Sequence, residues 1–203
     1  MYVPKIFQAP SATAIRNYID RNGFGTLVGT QQGDIVATHI PMMLEKSGEH
    51  EFLSGHISVA NPQKNCFNNN EKMLAIFMEH HSYVSSSWYD HVNVPTWNYI
   101  AVHVYGTVEV LEHDAKLKSV ESLVEKYEED SAEAFRLTHM SERDLNAQLR
   151  GIVAFRLNIT GVEAAWKLSQ NRNERDYHEI IHQLRLRGDD LSLAIASEME
   201  SGR

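Results

Sequence analysis

The chain has 203 residues, 42% hydrophobic and 23% charged, with a formal charge of -8. That size and balance suit one soluble globular domain able to bury a core without staples. The negative charge repels a nucleic-acid backbone from the surface as a whole, although eight of the 19 basic residues lie between Arg143 and Arg187 and allow a local positive face near Arg150, Arg156, Arg172 and Arg175. The single cysteine, Cys66, excludes an intramolecular disulfide or a cysteine metal cluster and suits a reducing compartment. With no general base beside it in Lys64-Asn65-Cys66-Phe67, it is not read as a nucleophile. No leader-like segment and no apolar run of about 18 residues is present, so the expectation is a cytoplasmic protein with no membrane partner.

Taken along the chain, Ser11 reads as a helix cap ahead of Ala12, Ile15, Tyr18 and Ile19 on one stripe, and Gly23 as its stop. The period then drops to two. Phe24 to Thr30, Asp34 to Leu44 and Phe52 to Val59 read as strands, with turns at Gln31-Gln32-Gly33 and Lys46-Ser47-Gly48. Met73 to Met78 suits a short buried strand. Tyr99 to Leu111 is the longest, with Ile100, Val102, Val104, Val108 and Val110 on one face. A helix carries Leu117, Val120, Val124 and Tyr127, and Ser141 with Asp144 opens another. Ile152 to Ile159 alternates again. The end is helical, with Tyr177, Ile180, Ile181 and Leu184 on a stripe, Gly188 as a break and a last amphipathic piece from Leu191 to Met199. About six strands with hairpin-length links predict a mainly β, α+β fold: an antiparallel barrel with helices attached. One domain over residues 1–203 is expected, with a helical extension at about 173–203.

Five segments carry chemistry, one of them Tyr83-Val84-Ser85-Ser86-Ser87-Trp88-Tyr89. Val94-Pro95-Thr96-Trp97-Asn98-Tyr99 supplies flat aromatic faces with polar tips at a strand start, equipment for a planar ring rich in heteroatoms. Ala37-Thr38-His39-Ile40-Pro41 places a polar pair inside a strand. Gly55-His56 through Ser58 to Ala60-Asn61-Pro62-Gln63-Lys64 leaves a strand for a helix start, where free N–H groups and Lys64 suit a phosphate. Lys167-Leu168-Ser169-Gln170-Asn171-Arg172 is a run of donors. Together they outline an anionic ligand with a flat ring.

These segments, including Tyr83-Val84-Ser85 and Ser87-Trp88-Tyr89, resemble the PaiB family of FMN-binding negative transcriptional regulators, also described as repressors of protease synthesis and sporulation. The resemblance runs from Met1-Tyr2-Val3-Pro4 to Leu184. It implies an FMN-binding split β-barrel, a homodimer, and flavin sites at the subunit interface. It departs at two points: Glu79-His80 stands where the family pattern has Gly-Pro, and Ser86 where it has Pro. By the same resemblance the phosphate sits at Ser58 to Lys64, with His56, Asn61 and Gln63 in that region. Thr38, His39 and Ile40 offer the pyrimidine edge their backbone, Ser85, Trp97, Asn98 and Tyr99 line the ring, and Lys167, Gln170, Asn171 and Arg172 close the pocket from the other subunit.

A competing motif is His178-Glu179-Ile180-Ile181-His182, which matches the zincin pattern His-Glu-x-x-His. The chain after His182 offers no further histidine, and Asn173-Glu174-Arg175-Asp176 before the motif reads as a solvated helix start, so no metal is assigned. No catalytic residue is assigned either. The implied function is repression through an FMN-bound dimer, with DNA contact through the local basic face as one route. The alternative is an enzyme, a flavin-dependent oxidoreductase or a heme-degrading split barrel, with His39, His56 and His103 as its proton carriers and heme as a second cofactor. A third is a flavin-free structural dimer.

Overall fold

A computed structural model of the chain describes residues 1–68 and 71–202. Its first hairpin follows from turn chemistry. Gln32 and Gly33 both take positive φ, 54° and 93°, the turn whose twist matches that of paired strands. This pins β1 (Phe24–Gln31) to β2 (Asp34–Ser47) with Gln31 opposite Asp34. Gly48, at φ 62°, opens the next turn and sets Ser47 opposite His50 at the start of β3 (His50–Ser58).

The remaining strands are β4 (Lys72–Phe77), β5 (His81–Val84), β6 (Thr96–Leu111) and β7 (Ile152–Lys167). Among the described residues the seven strands hydrogen-bond in the order β4-β1-β2-β3-β7-β6-β5, and a further β4–β6 pairing closes six of them into a ring with β5 at the edge. The registered pairs are antiparallel. This is the expected split barrel with attached helices: α1 (Ala12–Arg21), α2 (His113–Glu128), α3 (Glu142–Arg150), α4 (Glu174–Arg187) and α5 (Asp190–Ser201). Two strands are longer than alternation suggests. β6 begins at Thr96, not Tyr99, and β7 continues past Ile159 to Lys167. Ala164, Ala165 and Trp166 are consecutively buried, which erases the period of two by which a strand is recognised.

The chain divides into two compact units: residues 1–22, 77–103 and 163–203, and residues 23–76 and 104–162. The second holds β1 to β3, β4 up to Ile76, half of β6 and the greater part of β7. Its core includes Leu27, Met42, Leu53, Ile57, Met73, Phe155 and Leu157. Cys66 is 3% exposed in the short helix Pro62–Asn68 and lies against Gly29, and burial pushes its thiol up. At Gly106 the strands approach so closely that a β-carbon would stand 2.4 Å from the carbonyl oxygen of Asn158. In the first unit Tyr18 is fully buried. Its hydroxyl donates to Ile100 O and accepts the N–H groups of Glu79, at 3.0 Å, and His80, at 3.3 Å. Ser11, Asn173 and Asp189 cap α1, α4 and α5, and Gly188, at φ 73°, ends α4. No helix among the described residues is long and apolar enough to cross a membrane.

Candidate functional site

In the second unit, β2 and the turn after β3 bring Thr38, Asn61 and Gln63 together. The Thr38 hydroxyl donates to Gln63 Oε1 and accepts from Asn61 Nδ2 at 2.9 Å. Gln63 is 1% exposed, and its amide nitrogen donates to Leu27 O at 2.9 Å and Val36 O at 3.5 Å. A buried amide satisfied on both ends fixes the turn to the β1–β2 hairpin. Within the turn the N–H groups are already used. Ala60 donates to Ser58 Oγ, Asn61 to Ser58 O, Gln63 to Asn61 Oδ1 and Lys64 to Asn61 O. The expected free N–H groups are therefore committed, because Ser58 and Asn61 turn their own oxygens onto them. Lys64 remains the cation of the turn, its ammonium on Val59 O. His39 is exposed, with Nδ1 2.8 Å from Thr26 Oγ1, and Ile40 is 7% exposed in the core. His56 is half-buried, and burial depresses its pKa.

In the first unit, β5 pairs with the start of β6, setting His81 opposite Tyr99 and Tyr83 opposite Trp97. Alternation turns these four side chains to one face. The His81 and Trp97 rings are 5.7 Å apart and those of Tyr83 and Trp97 5.8 Å, with Trp97 51% exposed. Lys167, at the end of β7, donates to Trp97 O at 2.9 Å and to Thr96 Oγ1, and lies 5.9 Å over the Tyr99 ring. Burial, helped by the nearby Arg172 charge, lowers the Lys167 ammonium below the ordinary lysine range.

The same alternation separates Asn98 from Trp97 and Tyr99. Asn98 is fully buried, accepting from Ser169 Oγ at 3.0 Å and donating to Met199 Sδ at 3.4 Å. Gln170 folds back on its own turn, bonded to Leu168 N and Trp166 O. Asn171 is exposed. Arg172 stacks 4.4 Å over Tyr89 and donates to its hydroxyl. Ser85 caps the short helix Ser86–Trp88. Of the four arginines of the expected basic face, Arg156 and Arg172 stack on rings, Arg175 pairs with Asp90, and Arg150 is exposed.

Sequence reasoning did not select His81, and it placed Tyr83 in a loaded segment without naming it a site residue; the two-residue spacing of His81 with Tyr83 and of Trp97 with Tyr99 was the available signal. It also missed Asp90, His91 and Asp176. His91 Nδ1 stands 2.8 Å from Asp90 Oδ1 and 3.3 Å from Asp176 Oδ2, and Asp176 is 1% exposed. In the zincin-like motif His178 and His182 are both exposed, at the flank of the buried Tyr177, Ile180, Ile181 and Leu184 stripe.

Residues 1–161 match the family model described as "Putative FMN-binding domain". The chain belongs to that family. It is 41% identical over 200 residues to the Protease synthase and sporulation protein PAI 2 of Bacillus subtilis (strain 168), covering 98% of this chain and 97% of that protein. In fold it is similar to the flavocytochrome Anf3 from Azotobacter vinelandii, at TM-score 0.63 and 13% identity over 87% of this chain and 78% of that one. It is likewise similar to the FAD and heme binding protein from Mycobacterium smegmatis, at TM-score 0.60 and 18% identity over 79% and 73%. At those identities the likeness is one of fold. FMN is the cofactor of the family, and the donor chemistry here fits it: exposed aromatic faces at Trp97 and Tyr83 suit a flat ring, and Lys64, Lys167 and Arg172 suit a phosphate.

Proposed function

We propose that this protein is a dimeric FMN-binding regulator of transcription in the cytoplasm, of the kind that restrains protease and sporulation genes. The observation that carries the reading is the family match over residues 1–161 together with 41% identity to the PAI 2 protein. Two sets of residues would hold the flavin. Lys64 and the Ser58 hydroxyl, from one subunit, take the phosphate, and the Thr38–Ile40 stretch of β2 meets the pyrimidine edge. The exposed aromatic face of β5 and β6, with Lys167 and Arg172, closes the ring from the other subunit. Bound FMN would supply electron transfer at its ring. The protein's own residues bind and orient it, and Lys167, held by Thr96 and Trp97, keeps a fixed cation beside the Tyr99 ring.

Regulation through the flavin-bound dimer suits the chain better than a broad DNA-binding face. The net charge is -8, and in the expected basic face Arg175 is already paired with Asp90. The test is an absorbance spectrum of the purified protein with FMN titrated by fluorescence quenching, alongside sedimentation equilibrium. A flavin band near 450 nm or an affinity tighter than about 100 μM, in a dimer, is expected. A monomer that binds no flavin overturns the proposal, and a Soret band replaces FMN with heme.

A further inference from the structure

On the outer side of the second unit, Arg156 presents an unusual arrangement. It projects from β7 opposite Ser54 of β3, and its guanidinium lies 4.0 Å over the ring of Phe52, which is 6% exposed. Its Nε is buried and has no hydrogen-bond partner among the described residues. A guanidinium is always charged and carries five N–H donors, so a buried Nε–H left without an acceptor is costly unless an acceptor arrives.

That arginine lines a small cavity of 190 Å³, bordered also by Glu45, Lys46, Ser54, Lys118 and Ser119. Lys118 and Ser119 follow Ala115 by three and four positions on α2, so the three line the cavity from adjacent turns, and Ser119 is 9% exposed. Lys46 and Lys118 stand exposed at the rim. Among the described residues neither lysine nor Arg156 is in an ion pair. The one carboxylate of the lining, Glu45, is engaged by the Ser54 hydroxyl. Three cations against the one carboxylate of Glu45 thus leave a positive lining on one small cavity of a chain whose net charge is -8.

We propose that this cavity binds a phosphate group, at a site separate from the flavin residues. The Phe52 stack holds the guanidinium plane in place, so that Nε and a neighbouring Nη offer two parallel donors, the geometry that recognises a phosphate. Lys118 and Lys46 supply the rest of the countercharge, and Ser119 a hydroxyl. The volume is below the roughly 300 Å³ at which pockets for drug-sized ligands begin. The occupant is therefore inorganic phosphate or the phosphate end of a small ester, not a nucleotide.

Calorimetric titration of the full chain in a phosphate-free buffer at low salt tests this, with inorganic phosphate and glycerol 3-phosphate as probes. The wild type is expected to bind at least one of them, and Arg156→Gln to bind it at least about tenfold more weakly. Arg172→Ala, in the flavin set, is expected to bind it as the wild type does. A tighter fit for glycerol 3-phosphate identifies an ester as the ligand, and equal binding identifies free phosphate. Circular dichroism melts control for folding. If Arg156→Gln does not fold, the exposed pair Lys46→Ala with Lys118→Ala replaces it, and unchanged affinity in that variant overturns the proposal. So does the absence of binding up to about 10 mM, or binding lost in Arg172→Ala and kept in Arg156→Gln.

Discussion

Ser169 Oγ donates to Asn98 Oδ1 at 3.0 Å on the buried side of β6. The bond joins a turn residue at φ 60° to a fully buried amide, and the other end of that amide reaches Met199 of α5. Asn98 is thus a tie between β6, the turn after β7 and the last helix. Replacing it with Ala leaves Ser169 without its acceptor in a dry site. Asn98→Ala is expected to lose about 1–3 kcal/mol of stability in urea unfolding. A loss within experimental error would show that the amide does not hold these elements together.

Arg172 stacks on Tyr89 and shares its neighbourhood with Lys167. If both serve FMN, Arg172→Ala should weaken FMN binding by about 10- to 100-fold, as expected for one charge-assisted bond to a phosphate. Fluorescence quenching measures it. Equal affinity in wild type and variant would remove Arg172 from the flavin set.

Burial depresses the pKa of His56, His80 and His103. Each takes up a proton more readily in the unfolded chain than in the folded one, so stability rises with pH across their titration. Full stability is expected above the ordinary histidine value of 6.5, with loss as pH falls below it. Melting temperatures from pH 8 to pH 5 test this. His56→Gln should flatten the slope, and an unchanged slope would assign the effect elsewhere.

Gly106 has no room for a side chain, since the Asn158 carbonyl and the Leu157 side chain occupy the space. Gly106→Ala must push one strand from the other and is expected to cost about 1–3 kcal/mol. Gly33, at φ 93° with open space around it, should be sensitive to Ala through backbone strain alone. Chemical denaturation of the two variants compares the causes, and a fully stable Gly106→Ala would mean that the strands yield freely.

Much of the fold was legible because its signals are local. Gln32-Gly33 announces its turn, Ser11 and Gly188 mark helix ends, and Val102 and Val104 keep the period of a strand. The end of β7 was not legible, because Ala164, Ala165 and Trp166 are buried in succession. The site residues divide along the same line. Trp97 and Tyr99 announce an aromatic face by type and spacing, but the direction of Asn98 is fixed by tertiary burial between Ser169 and Met199. The turn at Ser58–Lys64 looked like a cradle of N–H donors, and only its folded geometry shows them spent on Ser58 and Asn61. The Arg156 cavity draws residues from β2, β3, α2 and β7, a convergence that no linear spacing reveals.

Cys66 is the sole thiol of the chain and is shut away beside Gly29, with burial holding it protonated. Toward alkylating reagents the native molecule therefore behaves as if cysteine-free. A cysteine placed on the surface would be labelled alone, so a dye or spin probe can be positioned at will without first deleting a native residue. Slow labelling of Cys66 itself then becomes a clock for the opening of the region around it, read on the unaltered protein.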